Sequence, residues 1–379
     1  MLVQSFLKWT ETAKASERAR AAGALARAYS CSRMSEDERR AAKAAMAMLT
    51  EDPAPAVRIA LAEGVAHAPH APRSLILKLA GDQIEVAARV VAISPVLRDS
   101  DLVDLVAGGR APVQILAACR HKLSLAVCAA LAEVGSAAAV LEMLDNRTAT
   151  LAAISLKRLV ERFGAHPDIR ARLLEREDLP FVARQALIEE LGMALATFDL
   201  GRSSVGEERL KRVTDEACRT ATLTLAETVP LPEMPALVEH LRVSGRLTPG
   251  FLMHAVCAGN IDFLASALVS LSGLGAGRVR GILVDGRETA MRALFRESGL
   301  DGALIDLFVA ATLMWRRALR HSEPVDPQRI AAQLMAQFAD AMADEPALMD
   351  ILRLVETMQH AWQQQAHRSH AARLIAEAA

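Results

Sequence analysis

Three junctions in this chain are built alike, and they constrain its fold more than any other feature. They are "EDPAPAVRIALAEGVA" at residues 51–66, "GDQIEVAARVVAI" at 81–93 and "EDLPFVARQALIEEL" at 177–191. Each opens on an acidic residue (Asp52, Asp82, Asp178), sets a valine near the first turn (Val57, Val86, Val182) and adds an arginine (Arg58, Arg89, Arg184). Asp52 and Arg58 stand six positions apart, as do Asp178 and Arg184, while Asp82 and Arg89 stand seven apart. An aspartate at a helix start is expected to cap the unpaired N–H groups of the first turn and to suit the positive end of the dipole. A proline there is preset for helix and lacks a donor that would go unpaired. The valine and the apolar positions after it form a stripe for a neighbouring helix.

Between the junctions, short and long apolar segments alternate. Short ones include "PRSLILKLA" (72–80), "SDLVDLVAG" (100–108), "SAAAVLEML" (136–144) and "HPDIRARLLE" (166–175). Long ones include "RHKLSLAVCAALAEVG" (120–135) and "DNRTATLAAISLKRLVERFG" (145–164), the latter ending at a C-capping Gly164. Val57 and Val86 are 29 positions apart, and Leu151 and Val182 are 31 apart. A helix pair recurring every ~30 to 40 residues predicts an α-solenoid of HEAT or armadillo type, because one pair cannot bury its apolar face alone. Composition agrees. Hydrophobic residues make up 52% and aromatics only 3%, with one tyrosine, so little is present to build a sheet. The expected class is all-α, with a further helical region after the solenoid.

The second half breaks the pattern at "ATFDLGRSSVG" (196–206), which reads as a linker or long turn. A long helix from Glu207 and a clean start at Thr248-Pro249 follow, then helices near 260–272, 276–284, 287–297 and 301–319. The expected organisation is a HEAT-like repeat region at 1–198, a second helical region at 199–322 and a C-terminal helical hairpin or extension at 323–379.

Several runs resemble a bacterial family known only as domain of unknown function 2336. They are Ile84–Val86 with Ser94–Leu97, Asp99, Asp101 and Leu102; then the spaced set from Leu123 and Ser124 to Glu133 and Gly135; then "EDLPFVARQALI" and "RLTPGFLMHAVCAGNIDFLASALVSLSGL". The resemblance covers most of residues 40–320 and lies in packing and capping positions. It implies HEAT-like helices. It implies no settled activity, so no catalytic residue is carried over from it.

The chemistry-bearing residues give no motif. "GLGAGRVRG" (273–281) has glycines, but a helix precedes it where a phosphate loop needs a strand, so it reads as a helix–helix turn. His360, His367 and His370 share a C-terminal helix without an evident fourth ligand, which favours a solvated or partner-facing helix. Trp315 beside Arg316, Arg317 and Arg320 reads as a core tryptophan on a helix with a basic end, with a nucleic-acid contact as the rival. Five dispersed cysteines without CxxC spacing fit reduced, mostly buried thiols of a cytoplasmic protein. The N-terminus lacks a signal-peptide core, and no run of 18 uncharged apolar residues marks a membrane span.

No catalytic, cofactor-binding or metal residue is therefore expected. The residues singled out are Arg58, Arg89, Arg158 and Arg184 with Asp52, Asp82 and Asp178, as a ladder locking neighbouring repeats or as a surface for a partner. The expected function is a non-enzymatic scaffold or regulator that binds a protein partner on the concave face of its repeats. A net charge of −1 gives no general attraction to nucleic acid. A nucleic-acid-binding or base-processing HEAT-like protein stays open by fold analogy alone. A small-ligand sensor with a pocket between the halves is the third reading.

Overall fold

The computed structural model describes residues 9, 12–320, 327–339 and 346–378. Among them the chain forms 22 helices and no strand. It divides into two compact units, Met1–Glu190 and Leu191–Ala379.

The first unit holds α1 (Ala15–Cys31), α2 (Glu36–Leu49), α3 (Pro55–Val65), α4 (Arg73–Ala80), α5 (Ile84–Val91) and α6 (Asp99–Ala107). It continues with α7 (Ala111–Ala118), α8 (Leu125–Val134), α9 (Ala137–Asp145), α10 (Ala153–Phe163) and α11 (Pro167–Leu174); α12 (Phe181–Ala196) runs on into the second unit. Most of these helices pack on the helix two elements further along. One row runs α1, α3, α5, α7, α9, α11, and a second runs α6, α8, α10. This is the stacking order expected of helices that cannot bury an apolar face alone. Its core is continuous and made of small and aliphatic side chains, with Val57, Leu61, Val86, Leu131 and Leu159 fully buried.

The tightest crossing is α1 on α3. A Cβ added at Gly64 would fall 2.3 Å from the Cβ of Ala26, so only glycine lets these backbones approach. Ser30 Oγ uses that approach, donating to the Gly64 carbonyl at 2.9 Å.

Helix starts follow local chemistry. Ser35, Ser124 and Ser136 accept from backbone N–H groups three residues on, and Ser35 forms a reciprocal box with Glu38. Pro55, Pro167 and Pro249 each occupy the first helical position. Two long helices expected from sequence are shorter. The helix expected over 120–135 starts at Leu125, behind its Ser124 cap. The helix expected over 145–164 starts only at Ala153, because Asn146 turns the chain by accepting from the Thr148 N–H while its amide donates to the Ala118 and Arg120 carbonyls.

The second unit holds α13 (Asp199–Val205), α14 (Glu207–Thr228), α15 (Met234–Val243), α16 (Pro249–Ala258), α17 (Ile261–Ser272) and α18 (Ala276–Asp285). It ends with α19 (Glu288–Glu297), α20 (Gly302–Arg320), α21 (Pro327–Phe338) and α22 (Pro346–Ala378). The expected linker at 196–206 is helical over Asp199–Val205, although this helix buries none of its residues. It stops at Gly206, whose φ of 89° favours glycine.

Helix α16 is the centre of the unit. Its residues from Phe251 to Cys257 are all buried, and it packs on α17, α20, α21 and α22. A helix that is apolar on every side belongs inside a core. Thr248 Oγ1 accepts from the Phe251 N–H at 3.2 Å, the cap expected from sequence.

Candidate functional site

The seven residues picked out in the sequence do not form one array. Asp52 is not a helix cap. It sits two residues before the Ala54 cap position and accepts from the Ala54 N–H at 2.9 Å. Its main partner is Arg18 on α1, which donates from Nε and Nη2 at 2.7 and 2.9 Å. Arg58 donates to the Asp52 carbonyl at 2.5 Å and, through Nε, to the Asp82 carboxylate at 2.6 Å. Arg110 in turn donates to the Asp82 carbonyl at 2.7 Å. The result is a relay, Arg18 to Asp52, Arg58 to Asp52 and Asp82, then Arg110 to Asp82, running along the α1, α3, α5, α7 row. Arg18 and Arg110 were not anticipated.

The other four residues take different partners. Arg89 pairs with Glu63 at 3.4 Å, and Arg158 pairs with Glu133 and Glu161. Asp178 pairs with its neighbour Arg176 rather than with Arg184. Arg184 donates to the carbonyls of Leu174 and Arg176 at the end of α11.

The relay explains the acidities. The Arg18 hydrogen bond outweighs burial and holds the Asp52 carboxyl below its ordinary value. At Asp82, burial works to raise the value, but Arg58 and the Gln83 N–H lower it further. At Asp178 the Arg176 hydrogen bond does the same. These carboxylates are held as anions by their partners, and none is poised as an acid near neutral pH.

A second device recurs, in which a guanidinium closes the carbonyl end of a helix. Arg120 donates to the Val91 and Ser94 carbonyls, Arg162 to Ala132 and Gly135, and Arg170 to Gly164 and Ala165. The last carbonyls of a helix lack internal partners, and a cation suits that end of the dipole. In the second unit Arg316 does this for α18, donating to Ile282, Leu283 and Gly286.

Arg316 thereby fixes α18 against α20 and forms a pocket with α17. The pocket has a volume of about 230 Å³. Its wall is Trp315, only 9% exposed, whose Nε1 donates to the Val256 carbonyl at 2.7 Å. Ile261, Leu264 and Leu283 line the interior. Val284 and Leu319 form the lip and are 60% and 66% exposed. Asp285 and Arg320 face each other at the rim, 3.8 Å apart. The indole also packs on Gly259, where φ is 87° and an added Cβ would lie 2.7 Å from Trp315. The sequence marked Trp315 as core. It gave no sign of the pocket, which depends on Arg316 turning inward.

Other candidates resolve simply. Gly273 and Gly275 end α17 and open α18, so the glycine run is a helix–helix turn. His360 is exposed, and the side chains of His367 and His370 lie outside the described residues. Among the described residues no group of three or more His, Cys, Asp or Glu is arranged to hold a metal ion. The cysteines are less buried than expected: Cys31 and Cys119 are exposed, while Cys128 and Cys257 are buried. Burial pushes the Cys128 thiol up to about 11 and that of Cys257 up to about 12. No described helix is long and apolar enough to cross a membrane.

A family model described as "Uncharacterised protein conserved in bacteria (DUF2336)" matches residues 86–373. The chain belongs to this family. No curated protein and no solved structure matches it. The family span starts later than the resemblance read from sequence and runs further. Arg18, Asp52, Arg58 and Asp82 precede it, whereas the Arg162, Arg170 and Arg184 closures and the Trp315 pocket lie inside it.

Proposed function

We propose that this member of the family is a cytoplasmic, non-enzymatic scaffold or regulator with HEAT-like helical repeats, and that it binds a protein partner. The observation that carries the reading is the Trp315 pocket. At about 230 Å³ it falls below the roughly 300 to 1,000 Å³ of small-molecule sites. It suits one apolar side chain. An apolar interior, an exposed aliphatic lip at Val284 and Leu319 and a charged rim resemble the core-and-rim anatomy of protein interfaces. The occupant proposed is a leucine-type side chain on an amphipathic helix of the partner, with Asp285 and Arg320 setting its register.

The stacked rows of the first unit support the repeat reading. The nucleic-acid reading draws less support, because Arg316 and Trp315, its best stacking pair, are both engaged with backbone carbonyls.

The test is site-specific photo-crosslinking in cells. A crosslinker at Leu319 is expected to give a discrete adduct that Val284→Glu abolishes, with the melting temperature unchanged. A crosslinker at Val243, 73% exposed elsewhere on the unit, is the control. No adduct from Leu319, or the same adducts from Val243, would overturn the proposal.

A further inference from the structure

A second cavity in the same unit has a different character. It is a cleft of about 780 Å³ between α14, the start of α16, and α22, within the size range of small-ligand sites. Two helices supply its charge in opposite order. Helix α14 contributes Arg212, Glu216 and Arg219, and α22 contributes Asp350, Arg353 and Glu356. Spacings of four and three in α14, and of three and three in α22, set each trio on one side of its helix. The apolar remainder includes Leu304, Ile351 and Leu354.

In the first unit, half-buried Arg18, Arg58 and Arg120 are engaged by carboxylates or main-chain carbonyls, whereas half-buried Arg219 in this cleft is not. Among the described residues, Arg212, Arg219 and Arg353 make no side-chain hydrogen bond or ion pair, and the three carboxylates facing them make none either. The Nε of half-buried Arg219 is shut off from solvent with no acceptor. A donor left so costs free energy unless something meets it. Behind Gly250, one turn along α16, His254 is 4% exposed and its Nδ1 also lacks a partner. Burial first, and the charge of Arg219 second, hold this imidazole neutral, with its pKa lowered to about 4.

A guanidinium fork matches an oxyanion in two hydrogen bonds. Three carboxylates in the same cleft would repel a bare anion and demand donors. The apolar wall accommodates a ring. We propose that this cleft binds a small phosphate ester bearing amine or hydroxyl donors and an apolar ring, the chemistry of a mononucleotide. Arg212, Arg219 and Arg353 take the phosphate, and Glu216, Asp350 and Glu356 take the donors. The site shares no residue with the Trp315 pocket, so it stands or falls independently of the partner reading.

Isothermal titration of the full chain with adenosine 5′-monophosphate, inorganic phosphate and citrate tests it. Saturable binding of the nucleotide is expected, with inorganic phosphate weaker because it leaves the carboxylates unsatisfied. Arg212→Gln and Arg353→Gln alter exposed side chains, so both variants are expected to keep their melting temperature while losing affinity about tenfold or more. Glu216→Gln should raise the affinity for inorganic phosphate. Binding of citrate in preference to both phosphates would overturn the phosphate assignment. No saturable binding by the wild type, or binding untouched by Arg353→Gln, would overturn the site itself.

Discussion

His254 makes the stability of the second unit depend on pH in a defined window. It lies 4% exposed on α16, its ring 6.2 Å from that of Trp362, and its pKa is lowered from 6.5 to about 4. The unfolded chain therefore takes up a proton that the folded one refuses. Stability falls as pH drops below about 6.5 and levels off below about 4. Over the interval from about pH 7 to about pH 5, a group with these two values contributes a loss of about 2 kcal/mol. The aspartates held low by arginine act in a separate range. Their contribution is present above the ordinary carboxylate value near 3.8 and is lost as pH falls through their lowered folded values. The assay is urea unfolding at the two pH values, followed by tryptophan fluorescence, for the wild type and His254→Leu. The variant cannot take the proton and fills much of the same space. Its midpoint should move far less between the two conditions. Equal losses in the two proteins would refute the reasoning.

Further substitutions probe the packing and the fastenings. Asp82→Asn removes the charged acceptor from Arg58 while both side chains stay under 20% exposed, and should cost about 2 kcal/mol in chemical denaturation. Arg316→Ala leaves three helix-end carbonyls open and should cost about 2 kcal/mol or more, and Arg316→Lys should not restore it, because an ammonium cannot serve three carbonyls as a fork does. Hydrogen exchange at the end of α18 would report the opening directly. Gly259→Ala combines a left-handed backbone with a clash against Trp315 and should lower the melting temperature markedly, whereas the same change at Gly277, where an added Cβ meets nothing within 4 Å, should not.

The helices themselves were legible in the sequence. Thr248-Pro249 announced α16, and the Val57 and Val86 stripes announced the stacked row. Where the reading slipped, longer-range or subtler effects decided. The Gly201-Ser203-Ser204 run argued for a linker, yet α13 forms there as a fully surface helix. The individual partner of each arginine is not legible in the sequence. Arg184 finds the Leu174 and Arg176 carbonyls at the end of α11, and Arg58 takes the Asp52 carbonyl beside the Asp82 carboxylate. Every residue carries a carbonyl, so no side-chain pattern marks which one an arginine will find. The cleft of Arg219 and Arg353 was invisible for a related reason, since α14 and α22 are more than a hundred positions apart.

The two kinds of fastening in the first unit respond differently to their surroundings. Arg18, Arg58 and Arg73 hold carboxylates, at Asp52, Asp82 and Asp101, and a proton can dismiss each of these partners. From Arg120 to Arg184 the closures rest on carbonyls, which have no proton to gain. Strong acid would therefore not loosen the stack evenly. It would bear most on the row from α1 to α7, whose carboxylates are the least exposed, and spare the carbonyl-held closures further along, which fall within the span shared across the family.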